Sequence, residues 1–205
     1  MSNARNLANL LGTATTVPSA KVDQDYKLIH TVDASSQAAI TFTSSHITDT
    51  YMDYRIVYRY ATPATNGKDF YLWTSIDNGS NYNIPVEQIL LYRDLKASSA
   101  TGTAGSDDTS NHFNLNASIH NSTSKGANGS IYFMGLRHSS ASFKGAYWNS
   151  VAGISIDTGH TSGNDYWWNG AGKIITSSKI NNIRITVEGG GNMAQGKFSL
   201  YGIRV

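Results

Sequence analysis

The sequence predicts an all-β protein: an antiparallel, jelly-roll-like β-sandwich preceded by a short N-terminal helix and an extended linker. Three observations carry that expectation. Apolar residues recur with a period of two over most of the chain, as in strands with one buried face. Gly, Ser, Thr and Asn separate these runs and supply turns. Charged residues make up only 15% of the chain against 11% aromatics, too little charge and too much ring area for a disordered polymer. At 205 residues one domain with a substantial core suffices.

The helix comes first. Ser2 or Asn3 can cap it, Leu7, Leu10 and Leu11 fall at i, i+3 and i+4, and Gly12 is placed to end it. At that length it is below the ~12–15 residues an isolated helix needs in water, so it must pack on something. Thr13 to Ala20 reads as a linker, with Pro18 blocking helix continuation. The chain therefore divides into residues 1–22, a helix and linker, and residues 23–205, the sandwich.

From Tyr26 the strand period takes over. "YMDYRIVYRY" sets Met52, Tyr54, Ile56, Tyr58 and Tyr60 on one face and Asp53, Arg55 and Arg59 on the other. "KDFYLWTSI" and "SIYFMGL" are apolar at both parities, which predicts strands covered on both sides. "HFNLNASIH" turns Phe113, Leu115, Ala117 and Ile119 inward and Asn114, Asn116 and Ser118 outward, while "INNIRITVE" alternates through Ile183, Ile185 and Val187. In "GKFSLYGIRV" a bulge near Gly202 would return Ile203 and Val205 to the side of Phe198 and Leu200. About ten strands result, and "KASSATGTAGSDDTSN" reads as a long polar loop.

Several function classes lose support. A net charge of +2 with no basic run argues against a nucleic-acid partner. The absence of cysteine removes disulfides, thiolate metal sites and cysteine nucleophiles. No stretch approaches the roughly 20 apolar residues of a membrane span, and no basic segment followed by an apolar one marks a secretory signal. The expected site of synthesis is a cytoplasm. The six histidines have no compact ligand spacing, and His112 and His120 are expected on a solvated strand face. "SIDNGSNY" offers oxygens at Asp77, Asn78 and Asn81, but lacks the alternating acids and closing Glu of a calcium loop. A β-turn with Asn-Gly at its tip, a strong hairpin signal, is the favoured reading. Neither a metal nor another cofactor is expected. No G-x-S-x-G elbow occurs, and only Glu87 and Glu188 stand beside the aspartates, so catalysis has no positive support.

The motifs that invite a binding role are "AYWNSVAG" and "NDYWWNG". Trp148, Tyr166, Trp167 and Trp168, with Asn164 and Asp165, could form a platform on which a sugar stacks. The competing reading sends adjacent tryptophans to opposite faces, one into the core and one into a subunit interface.

"YMDYRIVYRYATPATNGKDFYLWTSIDNGSNYNI" resembles segments of virion proteins of tailed phages. The likeness lies in a tyrosine-rich strand, the turn Pro63, Ala64, Thr65, Gly67, then Ser75, Gly79, Ser80 and Tyr82. The ending, through Gly196, Ser199, Leu200, Tyr201 and Gly202, resembles the close of those domains. The opening "SNARNLANLLG" resembles leaders of structural proteins from phages of marine bacteria and cyanobacteria. The resemblance covers the leader, one hairpin region and the last strand. It implies a non-enzymatic surface component of a virion, a fibre, spike or head-decoration protein, that is oligomeric and often trimeric. Its partners would be capsid or tail proteins. Arg5, Leu7, Leu10 and Leu11 would then be anchor contacts, with the helix docked on a partner subunit or folded on its own sandwich. A carbohydrate-binding module reading host-surface glycan is the alternative, and an enzyme acting on surface polysaccharide is the third reading.

Overall fold

The structure, a computed structural model, describes residues 26–94, 102–122, 125–140, 144–152 and 166–203. The expected helix and linker, the division at residue 22, the anchor contacts Arg5, Leu7, Leu10 and Leu11, and Val205 lie outside the described residues.

Twelve strands follow one another: β1 (Tyr26–Gln37), β2 (Ala39–Phe42), β3 (Asp53–Pro63), β4 (Lys68–Ser75), β5 (Val86–Asp94), β6 (Gly102–Ser110), β7 (His112–Ile119), β8 (Ala127–Met134), β9 (Gly145–Ala152), β10 (Tyr166–Ile174), β11 (Asn182–Val187) and β12 (Met193–Ile203). They form two antiparallel sheets, an eight-stranded one in the order β1-β12-β3-β8-β9-β10-β5-β6 and a four-stranded one in the order β2-β11-β4-β7. The protein is an all-β sandwich, as its period-two pattern predicts. Among the described residues the only helical turn is Glu188–Gly190.

The chain crosses repeatedly between sheets, so residues distant in sequence face one another in the core. Ile40, Phe42, Phe70, Leu72, Phe113, Leu115, Ile183 and Ile185 come from the small sheet. They meet Tyr54, Ile56, Tyr58, Ile131, Phe133, Trp148, Phe198 and Leu200 of the large one. Burying a side chain of this size contributes roughly 1.5–3 kcal/mol. Several polar atoms that enter this layer are paired, although Trp148 Nε1 is buried without a hydrogen-bond partner among the described residues. The Tyr54 hydroxyl donates to the Thr48 carbonyl (2.7 Å) and accepts from its N–H (2.8 Å). The Nζ of buried Lys144 donates to the carbonyls of Ser140 (3.0 Å) and Thr176 (3.1 Å).

Several expectations fail at bulges. Tyr60 belongs by parity with Tyr58, but at φ +53 it bulges from β3 and is 66% exposed. The register on β8 shifts there, returning Ala61 to the core. Gly126 makes room, since a Cβ at that position would stand 2.7 Å from the Tyr60 carbonyl carbon. Asn116 points inward and not outward, because the pairing of β7 with β4 slips around Phe70. There its Oδ1 accepts from the Phe70 N–H (3.3 Å) and its Nδ2 donates to Ser150 Oγ on β9 (3.0 Å), joining the sheets. The bulge expected in β12 near Gly202 is absent: against β3 the register runs unbroken from Lys197 to Ile203, and the shifts lie between Met193 and Lys197. The irregularity nearest Gly202 falls in β1, between Leu28 and His30, opposite Tyr201 and Leu200. Gly202 instead lies against the Tyr51 ring. Ile203 shares the outer face with Tyr201 by parity, although it is 7% exposed.

Two other departures follow from sheet size. The expected loop "KASSATGTAGSDDTSN" contains β6, which pairs with β5 along the edge of the large sheet. With only two layers, strands apolar on both faces are covered on one side alone. Tyr71 and Trp73 of β4 and Tyr132 of β8 are half-buried on outer faces, and Met134 is exposed. Met52, expected with the inward residues of β3, precedes the strand and is exposed.

The tightest fit joins β9 to β10. Trp148 stands opposite Gly170, and its indole occupies the place a side chain at residue 170 would need. Phe113 of β7 packs on the same indole, ring centroids 5.3 Å apart. Gly170→Ala is expected to cost about 1–3 kcal/mol by overpacking. In a Trp148→Phe background that cost should fall by at least about 1 kcal/mol, because the clashing ring is gone. Urea unfolding of the four chains checks this, and additive losses would refute the interlock.

Candidate functional site

Since Trp148, Gly170 and their neighbours of like parity face the core, Tyr147, Asn149, Asn169 and Ala171 face outward. This outer face of the large sheet collects aromatic and aliphatic residues. One register row crosses it through Tyr201, Arg55, Tyr132, Tyr147, Ala171 and Ile89. The rings of Tyr132 and Tyr147 stack at 5.0 Å and 21°, and the Arg55 guanidinium lies 5.8 Å from the Tyr26 ring centroid. Burial, first, and the nearby Asp53 carboxylate hold the Tyr132 phenol above its ordinary range, so it remains neutral at physiological pH. Tyr26, Leu28, Ile89, Leu91, Met134, Tyr147 and Trp167 on this face are between 38% and 58% exposed. A contiguous exposure of this kind marks a contact surface more often than bare solvent.

A depression of about 410 Å³ lies within it, lined by Ile89, Leu91, Tyr147, Asn149, Asn169 and Ala171, with Gly170 and Trp148 beneath. Asn149 and Asn169 stand directly opposite each other on β9 and β10. The Oδ1 of Asn149 accepts from the N–H (3.3 Å) and hydroxyl (3.2 Å) of Ser130. The Asn169 side chain makes no hydrogen bond to a described residue. None of the lining side chains is a carboxylate or a cation.

The three tryptophans of the aromatic platform expected from the sequence do not share a face among the described residues. Trp148 is buried at 1% exposure in the core, and Trp168 is buried at 5% on the inward parity of β10. Trp167 alone of the three faces outward and is exposed, matching the reading that adjacent tryptophans diverge. Asn164 and Asp165 lie outside the described residues, and of Tyr166 only the backbone position in β10 is described. In the sequence the outward residues are marked only by their parity relative to Trp148. Tyr147 and Asn149 flank Trp148, so its burial sends both outward.

Other polar constellations are taken up by the fold. In "SIDNGSNY", Asn78 and Gly79 adopt φ +58 and +84, so the turn is real. It is no hairpin, since β4 lies in the small sheet and β5 in the large one. The Asp77 carboxylate accepts from Asn81 Nδ2 (2.6 Å), the Asn81 N–H (2.9 Å) and the Ser75 hydroxyl (2.7 Å), and these bonds draw its pKa down to about 2. A polar cleft at one end of the sandwich holds Asp49 against Lys179 (3.0 Å) and Arg137 (2.9 Å), which lower the Asp49 pKa. On the outer face of the small sheet His112 packs between Tyr71 (4.2 Å) and Trp73 (4.6 Å) and bonds Ser110, so it is not the free solvated histidine expected. Arg184 covers Tyr82 there, 3.8 Å from its ring centroid.

No protein-family model matches the chain, and neither does any curated protein. Among solved structures, a winged bean acidic lectin complexed with methyl-α-D-galactose is similar over 86% of this chain and 99% of that chain. Identity is 10% and the TM-score 0.20. A likeness that slight leaves the site to be argued from the chain's own geometry.

Two histidines meet beside β1. His30 and His46 stack at 4.1 Å and 11°, both edge-on to Phe42, and His46 Nδ1 accepts from the Thr43 N–H (3.2 Å). Burial, then the neighbouring His30, lowers the His46 pKa below its ordinary 6.5. The unfolded chain therefore binds more protons than the folded one in mildly acidic solution. The stabilisation is present above about pH 6.5 and is lost as pH falls through the lowered folded value. Urea midpoints should drop on going from about pH 7.5 to about pH 5, and drop less in His46→Asn. Parallel slopes in the two proteins would remove His46 as the cause.

Proposed function

We propose that the chain is a non-enzymatic surface component of a tailed-phage virion: a fibre, spike or head-decoration protein. The observation that carries this reading is the outer face of the large sheet, where seven large apolar or aromatic residues stay exposed. Such a face suits contact better than catalysis, and the order of the phage-like motifs along the chain supports a contact made on a virion. On this reading the protein is made in the host cytoplasm and docks through its N-terminal segment on capsid or tail subunits. Arg5, Leu7, Leu10 and Leu11 are the anchor contacts. The sandwich is displayed outward as part of a homo-oligomer, with a trimer favoured.

Immunogold labelling of purified particles with antibody to this chain tests the proposal. Label on capsid faces or on the tail is expected, and deletion of the residues before Val22 should abolish incorporation while the sandwich stays folded. Intact, accessible particles without label, and without the chain on immunoblots, would refute it.

A further inference from the structure

We infer that the depression between Tyr147, Ile89 and Leu91 holds one neutral pyranose ring of a glycan, with Asn149 and Asn169 as its hydrogen-bonding floor. This deepens the reading of the outer face as a contact surface by naming what it contacts.

Size comes first. At about 410 Å³ the depression falls within the roughly 300–1,000 Å³ of small-molecule sites. Its main wall is a flat ring. Tyr147 is 48% exposed, and its parallel stack on Tyr132 leaves it little freedom to turn. A pyranose presents a face of C–H groups carrying slight positive charge, which suits the negative face of an aromatic ring. Ile89 and Leu91, on the other side of β10, supply an apolar second wall.

The floor distinguishes a sugar from an apolar partner. Ser130 donates two hydrogen bonds to Asn149 Oδ1, which fixes the orientation of that amide and leaves its Nδ2 as a donor for a ligand. Asn169 keeps both its donor and its acceptor, since no described residue uses either. Covering these amides with a hydrocarbon surface would leave them dry and unpaired, at a cost of about 1–3 kcal/mol each. A sugar hydroxyl, at once donor and acceptor, satisfies both. The absence of charge among the six lining side chains selects a neutral ring over a uronic or sialic acid, which would call for a cation. The side chains are also set on paired strands and not on loops, so little ordering accompanies binding.

The experiment uses the full-length chain with methyl glycosides of glucose, galactose, mannose and N-acetylglucosamine. Each is taken to about 0.1 M, enough to fill a site of millimolar affinity. Saturation-transfer NMR reads the sugar, and side-chain amide shifts of Asn149 and Asn169 read the protein. At least one glycoside should show transfer and move both amides. Tyr147→Ala and Asn169→Ala, both at solvent-facing positions, should weaken it about tenfold or more. The wild-type amide shifts stand as a readout even where a variant folds poorly. The inference is overturned if no glycoside moves these amides, or if binding survives both substitutions in folded variants. It is also overturned if sedimentation shows that the face closes on a second copy, with Ile89→Lys dissociating it. The virion reading is decided separately by labelling, so either can fail while the other stands.

Discussion

The fit of Trp148 over Gly170 sets the arrangement on which the rest of the large sheet depends. Side chains in a strand alternate, so placing this indole in the core decides the face of every residue on β9 and, through register, on β10. A slip of one position would bring Asn149 and Asn169 into the core without partners and push Trp148 into water. The two errors reinforce each other, and the register is correspondingly secure. Phe113 adds the second sheet to the constraint, because the same ring that fills the gap at Gly170 also receives a side chain from β7.

The outer face is a consequence of unequal layers. Four strands cover one side of an eight-stranded sheet, and nothing among the described residues covers the other side. A face meant only for water would carry charged and small polar residues on alternate positions. This one has Tyr147, Ile89, Leu91 and Trp167 clustered on adjacent strands, with asparagines between them. The combination of aromatic faces with neutral amides matches surfaces that are partly apolar and rich in hydroxyls. It matches a wholly hydrophobic partner poorly and a phosphate-rich one worse.

Much of the fold is legible in the sequence wherever alternation is unbroken. Ile183, Ile185 and Val187 are buried as the pattern of "INNIRITVE" requires, and Tyr54, Ile56 and Tyr58 line the core in the same way. Legibility ends where one residue is inserted into a ladder. Tyr60, Asn116 and the segment before Lys197 each sit at a register shift. A shift depends on what the partner strand allows, such as the missing side chain at Gly126 beside Tyr60, and that partner lies far along the chain. β6 was hidden for a different reason. "GTAGSDDTS" has no apolar period, because an edge strand can form from backbone pairing with β5 alone. The candidate site is not legible in composition, because tryptophan serves core and surface alike and two of the three in these motifs are buried.

Burial also separates the residues that hold the protein together from those that meet its surroundings. Trp148, Gly170 and Phe113 act through contacts inside the sandwich, while Tyr147, Asn149 and Asn169 lie one position away on the opposite face. Because the latter are exposed or half-exposed, changing them removes little buried area and leaves no cavity. The outer face can therefore be remodelled, ring by ring and amide by amide, on a scaffold whose register is held from within. That independence has a limit at Asn149, whose amide is oriented by Ser130 of β8 and so depends on the pairing of a third strand. A surface chemistry built on β9 and β10 thus inherits its geometry from β8. Disturbing the pairing of β8 with β9 would turn the Asn149 amide and alter the site without touching any residue of its walls.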